Sequence, residues 1–387
     1  MNSYLAQLLR IAQQPARRIV GLMSGTSLDG LDVALCYCVG SGPNLRLTLE
    51  NFATIPYPAQ VARRLRAISQ PTVSLEDLTI LNVELARFHA RYVLECLRDW
   101  EVTPAAIDAL ASHGQTIWHS PRHQRPEAGF EHHATLQIGD GDHLAVLTGI
   151  ITLADFRQKH VAAGHEGAPL AGIADALLFQ KTDENRLLLN LGGIANFTLL
   201  PADGGPARST DTGPANTLLD HVVRQHYPGR SYDENGALAA SGIPHPALLA
   251  ELSKADFFNA PLPKTTGPEL FSPTYLRAAQ ERTGTLSLTP ADLLATLVEL
   301  SAYGVATAAR QWLGTEPACA IYVSGGGAHN PTLLAALRRQ LPSASLQSTD
   351  ALGIPADAKE AVLFAVLANE TLAGNPALSL GKISLPG

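Results

Sequence analysis

Cysteine and charge are both scarce in this 387-residue sequence. Charged residues make up 16% of the chain, the formal net charge is −7, and no basic stripe stands out, which argues against a nucleic-acid partner. The four cysteines match no zinc-site spacing. Cys36 and Cys38 are separated by a single residue on a predicted strand, where buried thiols are favoured over a disulfide. Together with Cys96 and Cys319 they indicate a reducing compartment.

Long apolar runs and several common motifs are missing as well. No apolar stretch is long enough to span a bilayer, and residues 1–18 lack the layout of a signal peptide. We therefore expect a cytoplasmic protein with no membrane partner. The patterns GxxxxGK(S/T), HExxH and GxSxG are also absent. Their absence excludes a P-loop phosphate site and removes the main support for a zinc protease or a serine hydrolase.

Length and composition are typical of a well-packed protein with two domains. Hydrophobic residues make up 46% of the chain, and 387 residues exceed what one small core needs. We expect residues 1–150 to form the first domain, with about residues 365–387 packing back on it, and residues 151–387 to form the second. Capping patterns predict helices that begin at Ser74 and Thr289.

The segment Ile19–Leu35 carries the most informative pattern. An apolar run stops at Ser24, a polar turn follows, and a second apolar run starts directly after Gly30. Two strands joined by a tight turn are predicted, because Gly25 and Gly30 can take the positive φ that such a turn requires. Its small side chains, hydroxyls, backbone N–H groups and nearby carboxylates suit a phosphate chain and a divalent cation. The alternative is an ordinary polar hairpin turn.

Two further glycine clusters extend this pattern. At 186–200 a strand, the turn at Gly192–Gly193 and another strand repeat the first hairpin, which suggests a duplicated α/β unit with a cleft between the copies. At 321–331 a strand runs into Gly325–Gly327, and a helix begins with Asn330 as its N-cap. Such a helix start favours anions and lets a planar ligand lie close to the backbone. The alternative is a chance resemblance for the hairpin at 186–200 and a purely structural role for the cluster at 321–331.

Polar side chains follow predicted strands at the positions where ligands bind in α/β folds. Gln115 and Thr116 follow one apolar strand, and Arg157 follows the strand Ile150–Leu153 in the same way. Arg157 is a candidate for binding a carboxylate. Asp211 comes shortly after the second glycine hairpin and just ahead of a predicted helix, so it is the leading candidate for a general base. An N-cap role is the alternative for Asp211.

The histidines between positions 113 and 133 invite a metal assignment. Most of them fall in a Pro/Arg/Glu-rich stretch, residues 120–133, that is typical of a solvated insertion. We therefore favour the solvated interpretation over a metal site.

In combination these segments resemble anhydro-N-acetylmuramic acid kinases. The resemblance runs from about Ile19 to Leu372 and rests on segments in the same order: GLMSGTSLDGLDVAL, SHGQTIWH, LQIGD, ADFR, AAGHEGAPL, LNLGGIANFT, DTGPANTLLD and SGGGAHNPTLL. It implies an α/β fold of two related actin-like, ribonuclease-H-like domains around an ATP cleft. It also implies a homodimer, for which the long predicted helix at 290–313 offers a surface.

The resemblance assigns roles to individual residues. ATP and Mg²⁺ are the implied cofactors, with Asp29 as the metal ligand and Asp211 as the catalytic base. Thr116 and Arg157 would contact the sugar together with Gln115 and Glu360, although Glu360 also fits a solvated acid at a helix start. The implied nucleotide-binding residues are Gly25, Thr26, Ser27, Leu28, Asp29, Gly30, Leu31 and Asp32 in the first turn, Gly192 and Gly193 in the second, and Gly325, Gly326, Gly327 and Asn330 in the third cluster.

The implied reaction couples ring opening to phosphorylation. Asp211 would take a proton from water as the water attacks the anomeric carbon of the 1,6-anhydro sugar. The released O6 would then attack the γ-phosphate of ATP in line, giving N-acetylmuramic acid 6-phosphate. Arg157 would hold the lactyl carboxylate that distinguishes this sugar.

The sequence departs from the family pattern in three segments. His165 and Glu166 stand in the usual GGQGAPL, Ala215 stands in the usual DTGPGN, and Pro268 replaces an arginine in a KSTGRE-like segment. By the resemblance, these positions lie where the sugar is recognised or where the domains close. A kinase for another anhydrosugar, such as levoglucosan, is therefore an alternative. A non-catalytic actin-like ATP-binding protein is the third possibility, and the retained Asp211 argues against it.

Overall fold

The chain forms two β-sheets with helices packed against them, as seen in a computed structural model. The structure describes residues 3–25, 28, 30–70, 72–122, 129, 131–168, 170–267, 269–375 and 378–387. The predicted site residues Thr26, Ser27 and Asp29 and the family departure at Pro268 lie outside the described residues. Two compact units emerge: unit 1 is residues 1–178 with 357–387, and unit 2 is residues 179–356.

The strands of the described residues are β1 (Ala16–Ser24), β2 (Gly30–Val39), β3 (Arg46–Pro56), β4 (Ala109–Ser120), β5 (Ala134–Ile138), β6 (Thr152–Ala154), β7 (Arg186–Leu191), β8 (Ile194–Leu200), β9 (Arg208–Pro214), β10 (Ala320–Ser324), β11 (Ser345–Ser348) and β12 (Lys382–Ser384).

The α-helices of the described residues are α1 (Ser3–Gln13), α2 (Ala59–Ile68), α3 (Leu75–Asp99), α4 (Gly141–Thr148), α5 (Phe156–Ala162), α6 (Ala171–Phe179), α7 (Asn216–His226), α8 (Ala237–Ala240), α9 (Pro246–Leu252), α10 (Asp256–Asn259), α11 (Pro273–Thr283), α12 (Pro290–Leu313), α13 (Pro331–Gln340) and α14 (Lys359–Leu372).

Unit 1 contains a seven-stranded sheet in the order β12-β6-β4-β1-β2-β3, with β5 paired to β4. The β1–β2 and β2–β3 pairs are antiparallel, whereas β1–β4 and β4–β6 are parallel. Met23 lies opposite Asp32 next to the turn, so the predicted first hairpin is confirmed. Ser24 at the end of β1 lies opposite Gln115 of β4. The first glycine turn and the polar segment of β4 therefore share one edge of the sheet.

Unit 2 contains a five-stranded sheet in the order β11-β10-β7-β8-β9. The β7–β8 and β8–β9 pairs are antiparallel, and β7–β10 and β10–β11 are parallel. This repeats the order and strand directions of β6-β4-β1-β2-β3 in unit 1. The predicted duplication into two related α/β units is therefore confirmed.

The unit boundaries differ from those expected from the sequence. Residues 151–178 belong to unit 1 because the short strand β6 pairs with β4 in the first sheet. The chain re-enters unit 1 at Asp357, earlier than about residue 365, because α14 packs on β1 and β2. The pairing of β12 with β6 then ties the tail to the same sheet.

The predicted helix starts are present. The side-chain oxygens of Ser74, Thr289 and Asn330 accept backbone N–H hydrogen bonds at 3.2, 3.1 and 3.0 Å, and they cap α3, α12 and α13. Each capping bond satisfies one of the donors that a helix start leaves without an intrahelical partner.

The core of unit 1 lies between its sheet and helices α2 and α3. Leu22, Leu31 and Leu35 from the first hairpin are at most 1% exposed, and they pack with Leu65 and Leu85 from the helices. All four cysteines of the chain are free and buried, which agrees with the prediction of buried thiols.

Helix α12 runs through the core of unit 2. Gln311 is its only exposed residue, so the helix has little free surface, and the expectation that it offers a dimer surface stays a prediction. Judged by length and composition alone, α12 is also the one helix in the described parts of the chain that is long and apolar enough to cross a membrane. The sequence analysis had found no such stretch. Of the apolar window, 72% is buried inside the protein, as in a core helix.

Candidate active site

The first glycine turn is tightly framed by β1 and β2. Gly25 accepts a backbone hydrogen bond from Leu28 at 3.2 Å. A Cβ atom on Gly30 would lie 2.5 Å from the carbonyl oxygen of Ile55 on the neighbouring β3, so no larger residue fits there without a shift of the backbone. The side chains of Leu28 and Leu31 are 6% and 0% exposed, and they belong to the core of unit 1. These two residues therefore have only backbone groups to offer a nucleotide.

Asp32 supplies a carboxylate next to this turn. It lies on β2, and its Oδ1 accepts a hydrogen bond from Thr54 Oγ1 at 2.6 Å. Carboxylate oxygens are the ligands that Mg²⁺ prefers. Among the described residues no group of three or more histidine, cysteine, aspartate or glutamate side chains is placed to hold a metal ion, and Asp29 lies outside them.

Gln115 and Thr116 both lie on β4, but their side chains differ in exposure. Gln115 is 1% exposed, its Nε2 donates to Gly25 O at 3.2 Å, and its Oε1 accepts from Ser24 Oγ. Its polar atoms therefore hold the first turn, whereas the sequence analysis gave them to the sugar. Thr116 is half-buried, and its Oγ1 accepts a hydrogen bond from Gln137 Nε2 at 3.2 Å.

Arg157 is held in place by two hydrogen bonds. Its Nε donates to His113 Nε2 at 2.8 Å, and its Nη1 donates to the carbonyl oxygen of Gly167 at 2.8 Å. Within the described residues, Nη2 has no hydrogen-bond partner. Burial lowers the pKa of Arg157, and the charge of Glu360 acts in the opposite direction. This is a fixed cation with one donor group left for a ligand.

His113 is a residue whose role the sequence analysis missed. The histidines of this region were interpreted as part of a solvated insertion, and His123 lies outside the described residues. His113 is 3% exposed, and its Nδ1 lies 2.8 Å from Gly114 O. Burial, followed by the charge of Arg157, lowers its pKa to about 3, so the ring is neutral. Neutral Nε2 can then accept from Arg157. Its position shortly after the apolar run of residues 107–111, inside β4, was the signal for this burial.

The family departures at His165 and Glu166 lie in a loop that supports Arg157. Gly167 donates its backbone N–H to His160 Nδ1 at 3.1 Å. The rings of His160 and His165 stack with their centroids 4.6 Å apart. These contacts fix the Gly167 carbonyl that Arg157 binds.

The second glycine turn is anchored to the start of α7. Asn216 Nδ2 donates to Leu191 O at 2.9 Å and to Gly192 O at 2.8 Å, and Ala215 N donates to Gly193 O at 2.9 Å. The turn therefore lies against a helix N-terminus, where the helix dipole favours anions. Ala215 has a φ of −117°, so its replacement of a family glycine requires no left-handed backbone.

Asp211 lies on β9 with one carboxylate oxygen held by the backbone. Its Oδ2 accepts a hydrogen bond from Thr266 N at 2.8 Å, and its own N–H donates to Lys264 O at 3.0 Å. In the described part of the chain, Oδ1 has no hydrogen-bond partner. Burial raises the pKa of Asp211, and the Thr266 hydrogen bond opposes this shift. A carboxylate with a raised pKa and a free oxygen is suited to accept a proton. The alternative N-cap role is not seen, because α7 has no side-chain cap.

The three glycines that follow β10 have two different tasks. A Cβ atom on Gly325 would lie 2.5 Å from Asn190 Oδ1, and one on Gly327 would lie 2.6 Å from Leu191 Cβ. These two glycines let the segment pack against β7. A Cβ atom on Gly326 would have no heavy atom nearer than 3.8 Å, and Gly326 lines a cavity of about 500 Å³.

This cavity lies in unit 2, next to the second turn. Its walls combine polar groups with the ring of Tyr232. They come from α7, from the segment that precedes α8 and from the start of α13: Asn216, Leu219, Asp220, Tyr232, Asp233, Glu234, Asn235, Gly326, His329 and Asn330. The predicted residues Gly326 and Asn330 therefore line one pocket.

Comparison with known proteins identifies the family. The family model for anhydro-N-acetylmuramic acid kinase matches residues 17–381. The chain belongs to this family. A protein of Pseudoalteromonas atlantica named anhydro-N-acetylmuramic acid kinase is 46% identical over 401 aligned positions that cover 100% of both chains. A protein of Caldanaerobacter subterraneus with the same name is 38% identical and covers 95% of this chain and 94% of its own.

Solved structures align over most of the chain at much lower similarity. The activator of the 2-hydroxyisocaproyl-CoA dehydratase from Clostridium difficile covers 95% of this chain and 99% of its own, with a TM-score of 0.42 and 11% sequence identity. Values this low carry no argument, so membership of the kinase family rests on the sequence relatives.

Proposed function

We propose that this chain is an ATP-dependent kinase that opens the anhydro ring of 1,6-anhydro-N-acetylmuramic acid with water and phosphorylates O6, in cell-wall recycling. The products are N-acetylmuramic acid 6-phosphate and ADP. Family membership supports the substrate class. The observation that carries the chemistry is the Asp211 carboxylate, which combines a raised pKa with a single anchoring hydrogen bond from Thr266.

Asp211 has the task of activating water. Thr266 N–H fixes Oδ2, so Oδ1 keeps one orientation from which to take a proton. The water oxygen forms a bond to the anomeric carbon, the bond from that carbon to O6 breaks, and O6 attacks the γ-phosphorus as ADP leaves. The proton that Asp211 takes from water balances the charge that O6 gains. Most of the rate enhancement then comes from positioning and charge neutralisation.

Each unit supplies nucleotide groups. In unit 1 the first turn, which begins at Gly25, would offer backbone donors for phosphate oxygens. In unit 2 the turn at Gly192–Gly193 lies against the start of α7, and the cavity beside Gly326 has room for the nucleoside. Asp29 and Asp32 would supply oxygen ligands for Mg²⁺, and the ion would neutralise phosphate charge when it is bound.

Sugar recognition depends on Arg157. Its guanidinium is fixed by His113 and Gly167, and the remaining Nη2 donor suits the lactyl carboxylate. Thr116 and Glu360 supply polar groups in the same unit, and Gln115 acts on the sugar only through the turn that it holds.

The alternatives make different demands on Arg157 and Asp211. A levoglucosan kinase has no carboxylate to bind and no need for a fixed Arg157. A non-catalytic actin-like protein has no need for an activated Asp211. Family membership favours the muramic sugar over both. We further propose that the enzyme works in the cytoplasm as a homodimer.

A coupled ADP-release assay tests this function. The purified chain is given ATP, Mg²⁺ and either 1,6-anhydro-N-acetylmuramic acid, levoglucosan or open-chain N-acetylmuramic acid. We expect turnover on the anhydromuramic sugar and its loss in Asp211→Asn, with nucleotide binding retained. Turnover on levoglucosan alone would move the enzyme to another substrate. No ADP release with any sugar would reject kinase activity.

A further inference from the structure

Four buried side chains form a continuous hydrogen-bonded chain behind the first glycine turn. Tyr57 OH donates to Ser24 Oγ at 2.7 Å and lies 2.8 Å from His89 Nε2, and Ser24 Oγ bonds to Gln115 Oε1. Exposure of these residues ranges from 0% at His89 to 7% at Tyr57, so water does not compete for the bonds. These hydrogen bonds connect α3, the segment before α2, β1 and β4.

Only one direction of proton donation fits this chain. Gln115 Nε2 donates to the carbonyl oxygen of Gly25, so Gln115 Oε1 can only accept. The single hydroxyl proton of Ser24 therefore goes to Gln115, and that of Tyr57 goes to Ser24. His89 must then carry its proton on Nε2 and donate it to Tyr57. Proton donation therefore runs from His89 through Tyr57 and Ser24 to Gln115. Gln115 Nε2 in turn donates to Gly25, the first residue of the turn.

The buried imidazole of His89 lowers the stability of the folded protein. Burial lowers its pKa to about 3, and its Nδ1 has no hydrogen-bond partner among the residues that the structure describes. With the proton on Nε2, Nδ1 is a bare acceptor, and a buried acceptor without a partner is destabilising. Native structures hold few such groups. A leucine would remove the unpaired acceptor, but it would also remove the Nε2–H donor that starts the chain.

We propose that His89 and Tyr57 are positioning residues for the first phosphate turn. They fix Ser24 and Gln115, and through Gln115 they fix the carbonyl of Gly25, so that the turn presents its backbone donors to the nucleotide phosphates. Neither side chain touches the nucleotide. The inference rests on the proposed function in one respect, which is that this turn binds phosphate.

Direct nucleotide binding separates this role from simple stability. We would measure the Kd of ADP–Mg²⁺ by titration calorimetry, and the Kd of the anhydromuramic sugar without nucleotide, for the wild type, Tyr57→Phe and His89→Leu. Tyr92→Phe is the matched control, because it removes the same atom from the same region while Tyr92 packs on Phe88 outside the chain. His89→Gln keeps an N–H donor and serves as the rescue variant.

We expect Tyr57→Phe and His89→Leu to weaken ADP binding about tenfold, the loss of about one well-aligned hydrogen bond. Sugar binding should stay within about twofold of the wild type, and so should ADP binding to Tyr92→Phe. His89→Gln should recover most of the affinity. The inference is overturned if Tyr57→Phe and His89→Leu both bind ADP like the wild type, whether or not their melting temperatures fall. It is also overturned if sugar and ADP weaken equally.

These outcomes are distinct from failure of the proposed function. A wild-type chain that binds ADP but never turns over the anhydromuramic sugar would reject the proposed reaction and leave the comparison of ADP affinities intact. A wild-type chain that binds no nucleotide would reject both.

Discussion

Removing Arg157 should erase the enzyme's preference for a sugar that carries a carboxylate. The perturbation is Arg157→Ala, and it has two effects. It takes away the guanidinium donor Nη2 that is left for a ligand, and it leaves His113 Nε2 and Gly167 O without their 2.8 Å partners. The second effect harms the enzyme with any sugar, whereas the first matters only when the sugar has a carboxylate.

The magnitude follows from the single charged contact. A hydrogen-bonded ion pair with a fixed arginine contributes about 2 kcal/mol, which corresponds to about 30-fold in kcat/KM. The assay compares wild type and Arg157→Ala on 1,6-anhydro-N-acetylmuramic acid and on the analogous sugar without the lactyl group. The ratio of the two kcat/KM values cancels the general damage.

Two possible results decide whether Arg157 binds the lactyl carboxylate. We expect the preference for the muramic sugar to fall about 30-fold in Arg157→Ala, with Arg157→Lys in between because lysine keeps the charge but not the planar fork. An equal loss of kcat/KM on both sugars would refute the assignment of Arg157 to the carboxylate. It would leave Arg157 as a structural link between His113 and Gly167.

Three further changes test separate parts of the account. Burial lowers the pKa of His89 and of His113 to about 3. Below about pH 6.5 the unfolded chain therefore binds more protons than the folded protein. The free energy of unfolding should fall toward pH 3, by up to about 1.4 kcal/mol per pH unit for each of the two histidines. Urea unfolding at several pH values measures this, and a flat profile would contradict the neutral burial of both rings. Gly325→Ala should lower the melting temperature because its Cβ meets Asn190 Oδ1 at 2.5 Å, whereas Gly326→Ala should fold normally and raise the KM for ATP. The reverse order of melting temperatures in differential scanning fluorimetry would reject that division of roles. Asn216→Ala loses two side-chain hydrogen bonds to the second turn and should cost about 2 kcal/mol of unfolding free energy, and a loss below about 0.5 kcal/mol would show that the turn holds without it.

Local patterns in the sequence predicted the local structure well. The first hairpin, the second glycine turn and the Asn330 cap each depend on residues within a few positions of one another, where glycine, capping and apolar periodicity act directly. The duplication of an α/β unit, which the repeated strand order shows, was likewise predicted from the two similar hairpins.

Contacts between distant residues could not be predicted in the same way. Arg157 meets His113 across 44 positions because β6, which precedes α5, pairs with β4. Tyr57 meets His89 across 32 positions because α3 and the segment before α2 pack in the same core. Gln115 looked like a ligand residue since it is polar and follows a strand. Its burial, which gives both polar atoms to the turn, depends on the pairing of β4 with β1. The boundary at residue 150 failed for a similar reason: the strand at Ile150–Leu153 was predicted, but its pairing with β4 in the first sheet is a contact between distant residues.

The most direct test of the central claim follows the oxygen of water. The enzyme is given ATP, Mg²⁺ and 1,6-anhydro-N-acetylmuramic acid in water labelled with a heavy oxygen isotope, and the reaction is quenched early and analysed by mass spectrometry. The account predicts a phosphorylated sugar with one labelled oxygen at the anomeric carbon, an unlabelled phosphoryl group and an equal amount of ADP. Labelled inorganic phosphate beside unchanged sugar would show ATP hydrolysis alone and contradict the account.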